Sequence, residues 1–302
     1  MNATLVVLAA GLGSRFGGPK QITPIGRHGE IIADFSAYDA IKAGFNKIVF
    51  VTKPALLQDM KDITAKIKDV PVEIALQTID DLPMGFTAPA DRQRPWGTSH
   101  ALWAARHTVK EPFMVISADD FYGRGVFSSM FKFLTTDTGG QYSFAMPGHK
   151  LCQTVSEHGS VSRAVCTIEN GYLTKIQEML KIEMRQEGIG NVCGDKFQIL
   201  ERDTIVNMLI FAFTPAIFDE IGKGFANFLQ TNINHPKAEY FLNATVGKLI
   251  DAGTATMKVL PVDDKWMGVT YQEDLVIAKN AIDKMIASGH YPERLFSFAI
   301  EN

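Results

Sequence analysis

The chain has 302 residues, of which 46% are hydrophobic, and its formal net charge is −3. This composition predicts a globular protein with a sizeable core. The mixed charges form no basic face for nucleic acid, and no apolar run approaches the ~18 residues of a membrane span. Three cysteines without C-x-x-C spacing predict reduced thiols rather than a zinc site. We therefore expect a cytoplasmic protein whose partners are small molecules or other proteins.

Strand and helix patterns alternate through the first part of the chain. In chain order, the sequence predicts strand Leu5–Leu8, helix Asp34–Ala43, strand Lys47–Thr52, helix Ala55–Ile67 and strand Val72–Gln77. This alternation is typical of an α/β fold with a parallel, doubly wound sheet.

The segment from Thr78 to Trp96 interrupts the alternation, because it contains several prolines and is too long for an ordinary connection. We predict that it is a lid or a binding loop. A helix from Thr98 to Val109 follows, and the buried strand Phe113–Ala118 then brings Asp119 and Asp120 to its carboxyl end. Ligands of α/β sheets bind at that end of the strands.

Longer β-segments predominate after Met146. The predicted elements here are strands Val161–Ile168 and Tyr172–Glu178, a polar loop Arg185–Lys196, strand Thr204–Phe213, a helix at Pro215, helix Asn243–Ala252, strand Thr256–Val262 and a helix that opens at Thr270. No linker or repeat divides the chain, so we expect one domain over residues 1–302.

A glycine-rich loop with the sequence LAAGLGSRFGGPKQ follows the first strand, from Leu8 to Gln21. Glycine backbone can approach a polyphosphate closely, and Arg15 and Lys20 add fixed positive charge beside it. The loop therefore predicts a site for a nucleoside triphosphate. The nucleotide-binding residues predicted within it are Ala10, Gly11, Gly13 and Ser14.

Two commoner glycine motifs do not fit this loop. The third glycine of a dinucleotide-binding G-x-G-x-x-G would fall on Phe16, and the second strand is followed by Lys53 without an acid for the ribose. A P-loop is excluded because Pro19 separates the glycines from Lys20, and Gln21 replaces the hydroxyl that would bind magnesium.

The loop resembles the signature G-x-G-[ST]-R, followed closely by P-K, of the sugar-1-phosphate nucleotidyltransferases (pyrophosphorylases). The resemblance implies their nucleotide-diphospho-sugar transferase (GT-A-like) fold, a single Rossmann-like domain with a mixed, mostly parallel sheet flanked by helices. It implies that about residues 1–146 bind the nucleotide and about residues 147–302 bind the acceptor. It also implies that Arg15 binds the triphosphate, and that Lys20 binds the α-phosphate and the acceptor phosphate.

Asp119 and Asp120 predict a Mg²⁺ site, because two adjacent carboxylates after a buried strand repel each other unless a cation lies there. The resemblance implies that Asp119 binds the metal. Asp120 either orients the site or contacts the ribose, or it caps a helix. Relatives carry a second Asp or Asn after a late tryptophan, but this chain has Gly268 at that position. We predict that Asp263, just after the last predicted strand, replaces it, with Asp264 as the other choice.

Gln77 is predicted to contact the base, because an amide has a donor and an acceptor that match the O4 and N3–H groups of uracil or thymine. The segment from Trp96 to Leu102 resembles the G-T-[GAS]-H-A segment of N-acetylglucosamine-1-phosphate uridyltransferases. There small residues, here Gly97 and Thr98, let the base lie against the backbone. His100 on the first turn of the helix has the pattern of a structural residue.

Three residues of the second half resemble the sugar contacts of the family, namely Gly159, Glu178 and Asn207. Each also has a structural interpretation, as a turn glycine, a solvated carboxylate and a strand-end amide. Arg163 and Lys181 are candidates for the sugar phosphate on their charge alone.

These residues together predict a Mg²⁺-dependent enzyme that joins the nucleoside monophosphate of UTP or dTTP to a sugar 1-phosphate and releases pyrophosphate. Two alternatives stay open. One is a cytidylyltransferase that acts on an alcohol phosphate such as phosphocholine. The other, suggested by Gly268, is a weakened nucleotide-sugar sensor or regulatory subunit. The sequence does not identify the sugar, and it leaves the choice between monomer and homo-oligomer open.

Overall fold

The computed structural model describes residues 2–11, 20–136, 139–156, 158–264, 266–269 and 272–296. The strands within these ranges are β1 (Thr4–Leu8), β2 (Lys47–Thr52), β3 (Val72–Leu76), β4 (Phe113–Ser117), β5 (Asp120–Phe121), β6 (Ser143–Lys150), β7 (Val161–Glu169), β8 (Tyr172–Arg185), β9 (Gly188–Cys193), β10 (Lys196–Ile199), β11 (Ile205–Asn207), β12 (Phe211–Phe213), β13 (Thr256–Pro261) and β14 (Met267–Gly268). The helices are α1 (Ile32–Ala43), α2 (Leu57–Thr64), α3 (Thr98–Trp103), α4 (Arg124–Thr136), α5 (Ile217–Asn232), α6 (Leu242–Asp251) and α7 (Gln272–Ala287). Short 3-10 helices cover Lys20–Ile22, Pro54–Leu56 and Leu151–Gln153.

One mixed sheet contains all of these strands except β5 and β14, which pair with each other. Strands β3, β2, β1 and β4 are neighbours in that order and run in parallel. Strand β12 is antiparallel to β4, and β6 is antiparallel to β12. Strand β6 therefore runs in the same direction as β4, and β13 lies parallel beside it. Strands β7 to β10 extend the sheet as antiparallel neighbours. The predicted α/β class with a mixed sheet flanked by helices is confirmed, and the four parallel strands β4, β1, β2 and β3 form one end of this sheet.

Both faces of the sheet are buried, as its apolar central strands predict. In β1, Leu5 and Val7 belong to one core cluster, whereas Val6 and Leu8 belong to another on the opposite face. Helices α1, α4 and α7 cover the first face. Helices α3, α5 and α6 cover the second. The carboxyl ends of β1, β4, β6 and β13 consequently share one edge of the sheet, and this edge is open between the two helical layers.

Helix α1 ends where the sequence predicts, at a glycine. Gly44 has a φ of 113°, and its N–H lies 3.1 Å from the carbonyl oxygens of Ala40 and Ile41. A left-handed residue of this kind is the usual end of a helix. Helices α2 and α3 are shorter than their predicted ranges, and the predicted start of the last helix at Thr270 lies outside the described residues.

The prediction of a polar loop from Arg185 to Lys196 is wrong. These residues contain the end of β8, all of β9 and the start of β10. Gly188 and Gly194 have φ values of 133° and 59°, and they lie at the two turns that join the strands. The glycines that suggested a loop are therefore the turns of a β-meander.

The prediction of one core strand over Thr204–Phe213 is also wrong. Its ends form β11 and β12, and a turn separates them. Both strands pair with β6, while β11 also pairs with β7 and β12 with β4. Asn207 builds this turn, because its Oδ1 accepts hydrogen bonds from the N–H groups of Leu209, at 2.7 Å, and Ile210, at 3.2 Å. Leu209 has a φ of 64°. A side chain that bonds the backbone locally competes with strand pairing, which explains the break.

None of the helices in the described ranges is long and apolar enough to cross a membrane.

The three cysteines, Cys152, Cys166 and Cys193, are free. Burial raises the pKa of the Cys166 thiol to about 12, so that this thiol is inert near neutral pH.

His149 on β6 is expected to make stability depend on pH. Its side chain is 1% exposed and neither ring nitrogen has a hydrogen-bond partner. Burial, helped by Arg163, lowers its pKa from 6.5 to about 4. The unfolded chain therefore binds the proton more readily, and stability is lost as the pH falls from 6.5 towards 4. We expect the stability of His149→Leu relative to the wild type to increase by about 1 to 2 kcal/mol between pH 7 and pH 5.

Urea unfolding of both proteins at each pH measures this difference. Buried groups such as Asp34 and His100 are present in both proteins, so their own titrations cancel in the comparison. A difference in stability that stays constant between the two pH values would contradict the assignment of a neutral, buried His149.

Candidate functional site

A cavity of about 300 Å³ opens at the carboxyl edge of the parallel strands. It contains six of the residues predicted to bind nucleotide or metal, namely Ala10, Gly11, Gln77, Gly97, Thr98 and Asp119. These residues come from four separate segments. Three of the segments follow β1, β3 and β4, and the fourth lies at the start of α3. The described residues do not include Gly13, Ser14 and Arg15. The backbone of Lys20 begins a 3-10 helix, but its side chain is not described.

Asp119 follows β4 by two residues and presents the carboxylate that lines the cavity. The Ser117 hydroxyl donates a hydrogen bond to its Oδ1. The same cavity is lined by Gln21, which is 5% exposed and whose Nε2 donates to the Gly11 carbonyl at 3.0 Å. The Gln21 Oε1 is buried and has no hydrogen-bond partner.

These oxygens fit a magnesium ion, which prefers oxygen ligands and retains several waters. A carboxylate and an unpartnered amide oxygen in one cavity form such a donor set. Among the described residues, no group of three or more His, Cys, Asp or Glu side chains is close enough together to hold a metal.

Gly268 pairs with Asp120 across the two-stranded β5–β14 ladder. A Cβ atom on Gly268 would lie 2.9 Å from the Asp120 Oδ1 and would overlap the Trp266 ring. The space for a side chain at this position is thus already filled, and the carboxylate beside it belongs to Asp120.

Burial raises the pKa of Tyr122 well above its usual value, so its hydroxyl stays protonated and donates to the Met208 carbonyl at 3.2 Å.

The two aspartates after β13 differ in their surroundings. Asp263 is exposed near the same edge of the sheet, but it does not line the cavity, so its role as a metal ligand stays a prediction. The carboxylate of Asp264 packs against Gly123 and Gly125 at the start of α4. A negative charge there stabilises the helix N-terminus, and this gives Asp264 a structural role.

The wall of the cavity at Gly97 is joined to the start of α6. Gly97 has a φ of 98°, and a Cβ atom on it would lie 2.7 Å from the Tyr240 nitrogen and 2.8 Å from the Tyr240 oxygen. The Tyr240 N–H donates to the Trp96 carbonyl at 2.7 Å, and the Ser99 N–H donates to the Tyr240 carbonyl at 2.9 Å. Glycine is required here for close contact with protein backbone, and the predicted contact of Gly97 with a base stays a prediction.

The predicted loop from Thr78 to Trp96 contributes Arg94 and Pro95 to the lining of the cavity. Buried Trp96 holds its end in place, because its Nε1 donates to the Ile79 carbonyl at 2.9 Å and the Arg92 guanidinium stacks on its ring at 3.2 Å. The loop therefore fits the prediction of a binding loop.

The Gln77 amide has a fixed orientation. Its Nε2 donates to the Gly97 carbonyl at 3.1 Å and contacts His100 Nδ1 at 3.0 Å. With both amide hydrogens used, the oxygen is the group that Gln77 can present to a ligand. The predicted two-point contact with O4 and N3–H of a pyrimidine is thus reduced to one acceptor.

The residues predicted to bind the acceptor do not line this cavity. Glu178 on β8 accepts a hydrogen bond from Asn243 Nδ2 at 2.6 Å, and burial raises its pKa. Asn207 uses its amide oxygen to build the turn before β12, and its Nδ2 donates to the Ile210 carbonyl at 2.7 Å. Gly159 lies in the connection before β7. Their roles in acceptor binding stay predictions.

The two cations considered for the sugar phosphate have other partners. Arg163 is buried, its Nη1 donates to the Ser162 carbonyl at 2.7 Å, and its guanidinium lies 4.6 Å from the Trp266 ring centre. Lys181 is exposed and forms an ion pair with Glu183 at 3.2 Å.

Arg94 lines the cavity but was not predicted from the sequence. Its position just before the G-T-S-H segment could have indicated a cation near the bound nucleotide.

A model of the family described as nucleotidyl transferase matches residues 4–284 of this chain. No curated protein matches the chain by sequence. Among solved structures, a putative glucose-1-phosphate thymidylyltransferase from Bacillus anthracis, in complex with a sucrose, is 14% identical with a TM-score of 0.61, and the match covers 92% of this chain and 94% of that one.

Two further solved structures have the same fold. A UDP-glucose pyrophosphorylase complexed with UDP-glucose is 17% identical with a TM-score of 0.59, and the match covers 94% of this chain and 99% of that one. The inositol-1-phosphate CTP transferase from T. maritima is 12% identical with a TM-score of 0.60, and the match covers 94% and 96% of the two chains. These likenesses confirm the predicted nucleotide-diphospho-sugar transferase fold.

Proposed function

The chain belongs to the nucleotidyl transferase family, and on that premise we propose that it joins the nucleoside monophosphate of UTP or dTTP to a sugar 1-phosphate and releases pyrophosphate. The observation that supports this most is the cavity that brings Asp119, Gln77 and the start of the glycine loop together. In this proposal about residues 1–146 bind the nucleotide, about residues 147–302 bind the acceptor, and the protein acts in the cytoplasm.

Nucleotidyl transfer joins two anions, so it depends on charge neutralisation and alignment more than on acid–base catalysis. The acceptor phosphate oxygen attacks the α-phosphorus, a new P–O bond forms, and the bond to the β-phosphate breaks. We assign Arg15 to the triphosphate, because a guanidinium can bind two phosphate oxygens at once. Lys20 is assigned to the α-phosphate and the acceptor phosphate.

The proposal includes Mg²⁺, with Asp119 and the Gln21 amide oxygen as the residues that would hold it. Bound there, the ion would neutralise phosphate charge during transfer. Asp120 is assigned to orienting the site or contacting the ribose, and Asp263 remains a candidate second ligand.

A pyrophosphate-release assay tests the proposed function. We expect turnover with UTP or dTTP and a sugar 1-phosphate in the presence of Mg²⁺. Lys20→Ala should lose most turnover, about 10²-fold or more, while nucleotide binding remains, because its charge acts where the two phosphates meet. Arg15→Ala should weaken triphosphate binding as well.

Other outcomes of this assay favour the alternatives. If CTP with an alcohol phosphate gives the fastest turnover, the protein is a cytidylyltransferase. If nucleotide sugars bind but no nucleotide is turned over, it is a sensor or regulatory subunit. A Lys20→Ala variant with nearly wild-type turnover would remove Lys20 from the reaction.

A further inference from the structure

A chain of hydrogen bonds links Gln77 in the cavity to Asp81 through His100. Gln77 Nε2 contacts the Gly97 carbonyl oxygen and His100 Nδ1, and His100 Nε2 lies 3.0 Å from the Asp81 carbonyl oxygen. We call these four residues the amide relay. All of them lie in described segments, and the side chains of Gln77 and His100 are 5% and 0% exposed.

The chemistry of its two ends fixes every hydrogen in the amide relay. A carbonyl oxygen can only accept, so the Gln77 atom that faces Gly97 must be the NH₂ group. For the same reason His100 Nε2 must carry the hydrogen that faces Asp81. His100 Nδ1 then has a free lone pair and accepts the second amide hydrogen of Gln77. Burial lowers the pKa of His100 to about 4, in accord with this neutral tautomer.

Neighbouring contacts hold His100 and Asp81 in place. The His100 ring packs on Phe225 with ring centres 5.1 Å apart. The Asp81 carboxylate forms two hydrogen bonds of 2.7 Å with Arg106, whose guanidinium stacks on the Trp103 ring at 3.6 Å. The position of the Asp81 carbonyl, and with it the tautomer of His100, is therefore set by packing outside the cavity.

We propose that His100 is a positioning residue that sets the base specificity of the site, because it takes one amide hydrogen of Gln77 and leaves only the amide oxygen to face the base. This rests on the proposed function, since it presumes that a nucleotide base binds beside Gln77. The oxygen selects a base that offers an N–H group at that point. Uracil and thymine offer N3–H, whereas cytosine in the same pose offers a bare nitrogen that repels the oxygen.

The first test measures dissociation constants for UTP and for CTP, whose N3 carries a lone pair in place of a hydrogen. We expect the wild type to bind UTP about tenfold more tightly, because CTP leaves the Gln77 oxygen unpaired. His100→Phe keeps a ring against Phe225 but removes the acceptor, so this preference should fall several-fold. His107→Phe is the matched control, since His107 is exposed and lies outside the amide relay, and the preference should persist.

The second test does not depend on a variant that folds. Nitrogen-15 labelling of histidine in the wild-type protein reports the tautomer of each ring by NMR, and we expect His100 to carry its hydrogen on Nε2 at neutral pH. A hydrogen on Nδ1 would overturn the proposal, and so would a folded His100→Phe with an unchanged preference for UTP.

The outcomes also separate this proposal from the proposed function. If UTP binds with the expected preference and the variant reduces it, but no pyrophosphate is released, the base-specific role of His100 stands and the transfer reaction fails. If pyrophosphate is released and the preference is insensitive to His100, the reaction stands and the role of His100 is overturned. If no nucleotide binds, both fail.

Discussion

Asp119→Asn is expected to lower turnover by about 10²- to 10³-fold and to leave the free energy of unfolding nearly unchanged. The change removes the charge of Asp119 from the cavity, which Glu239 also lines, and with it the proposed carboxylate ligand of Mg²⁺. An asparagine has the same shape, and its Oδ1 can still accept the hydrogen bond from Ser117. Pyrophosphate release measures the turnover, and a titration of Mn²⁺ by electron paramagnetic resonance, in the presence of nucleotide, measures metal binding.

Asp263→Asn and Asp264→Asn are the controls for this experiment. Asp264 packs at the start of α4, so its change should affect stability more than turnover. Loss of metal affinity in Asp263→Asn would establish Asp263 as the second ligand, and full activity in both controls would leave a site with one carboxylate. An active Asp119→Asn with normal metal binding would contradict the whole metal assignment.

Gly97→Ala is expected to destabilise the protein by about 3 kcal/mol or more and to weaken nucleotide binding. Gly97 combines a φ of 98° with a ψ of −172°, a conformation essentially restricted to glycine, and this costs an alanine about 1 to 3 kcal/mol. In addition, the new Cβ would lie 2.7 Å from the Tyr240 nitrogen, so that the backbone of Trp96 or Tyr240 must move. Such a movement breaks the hydrogen bonds that join this wall to α6 and shifts the Gly97 carbonyl. Urea unfolding followed by circular dichroism measures the loss.

Gly85→Ala is the matched control. Gly85 has a φ of 91°, close to that of Gly97, but nothing lies within 4 Å of the position of its Cβ. This variant therefore combines a positive φ with open space at its Cβ. A larger loss in Gly97→Ala is expected from the contact with Tyr240 and from the ψ of −172° at Gly97, and equal losses would show that the backbone at Tyr240 can adjust.

The parallel part of the sheet could be predicted because its information is local. Apolar runs such as Lys47–Thr52 are short, are bounded by helix-forming segments, and end in residues that must lie at one edge. The placement of Asp119 beside Gly11 and Gln77 follows from that topology alone. The later strands were harder, because Gly188 and Gly194 signal a turn equally well in a loop and in a meander.

The direction of the Gln77 amide could not be predicted. It depends on the Gly97 carbonyl and on His100, which are separated from Gln77 by 20 and 23 residues. The sequence predicts an amide near the base. It contains no local sign of whether the NH₂ group or the oxygen of that amide faces the base. The same limit applies to Asn207, whose role in a turn becomes visible only when β11 and β12 have paired as separate strands with β6.

The position of β13 has a consequence for how the chain folds. This strand comes late in the sequence, yet all six of its residues pair with β6, which lies more than a hundred residues earlier. Until residues 256–261 have emerged from the ribosome, one side of β6 is an unpaired, largely apolar edge of the kind that promotes aggregation. Contacts between such distant segments form slowly, because a long loop must close first. The native sheet is therefore completed only after most of the chain has been synthesised.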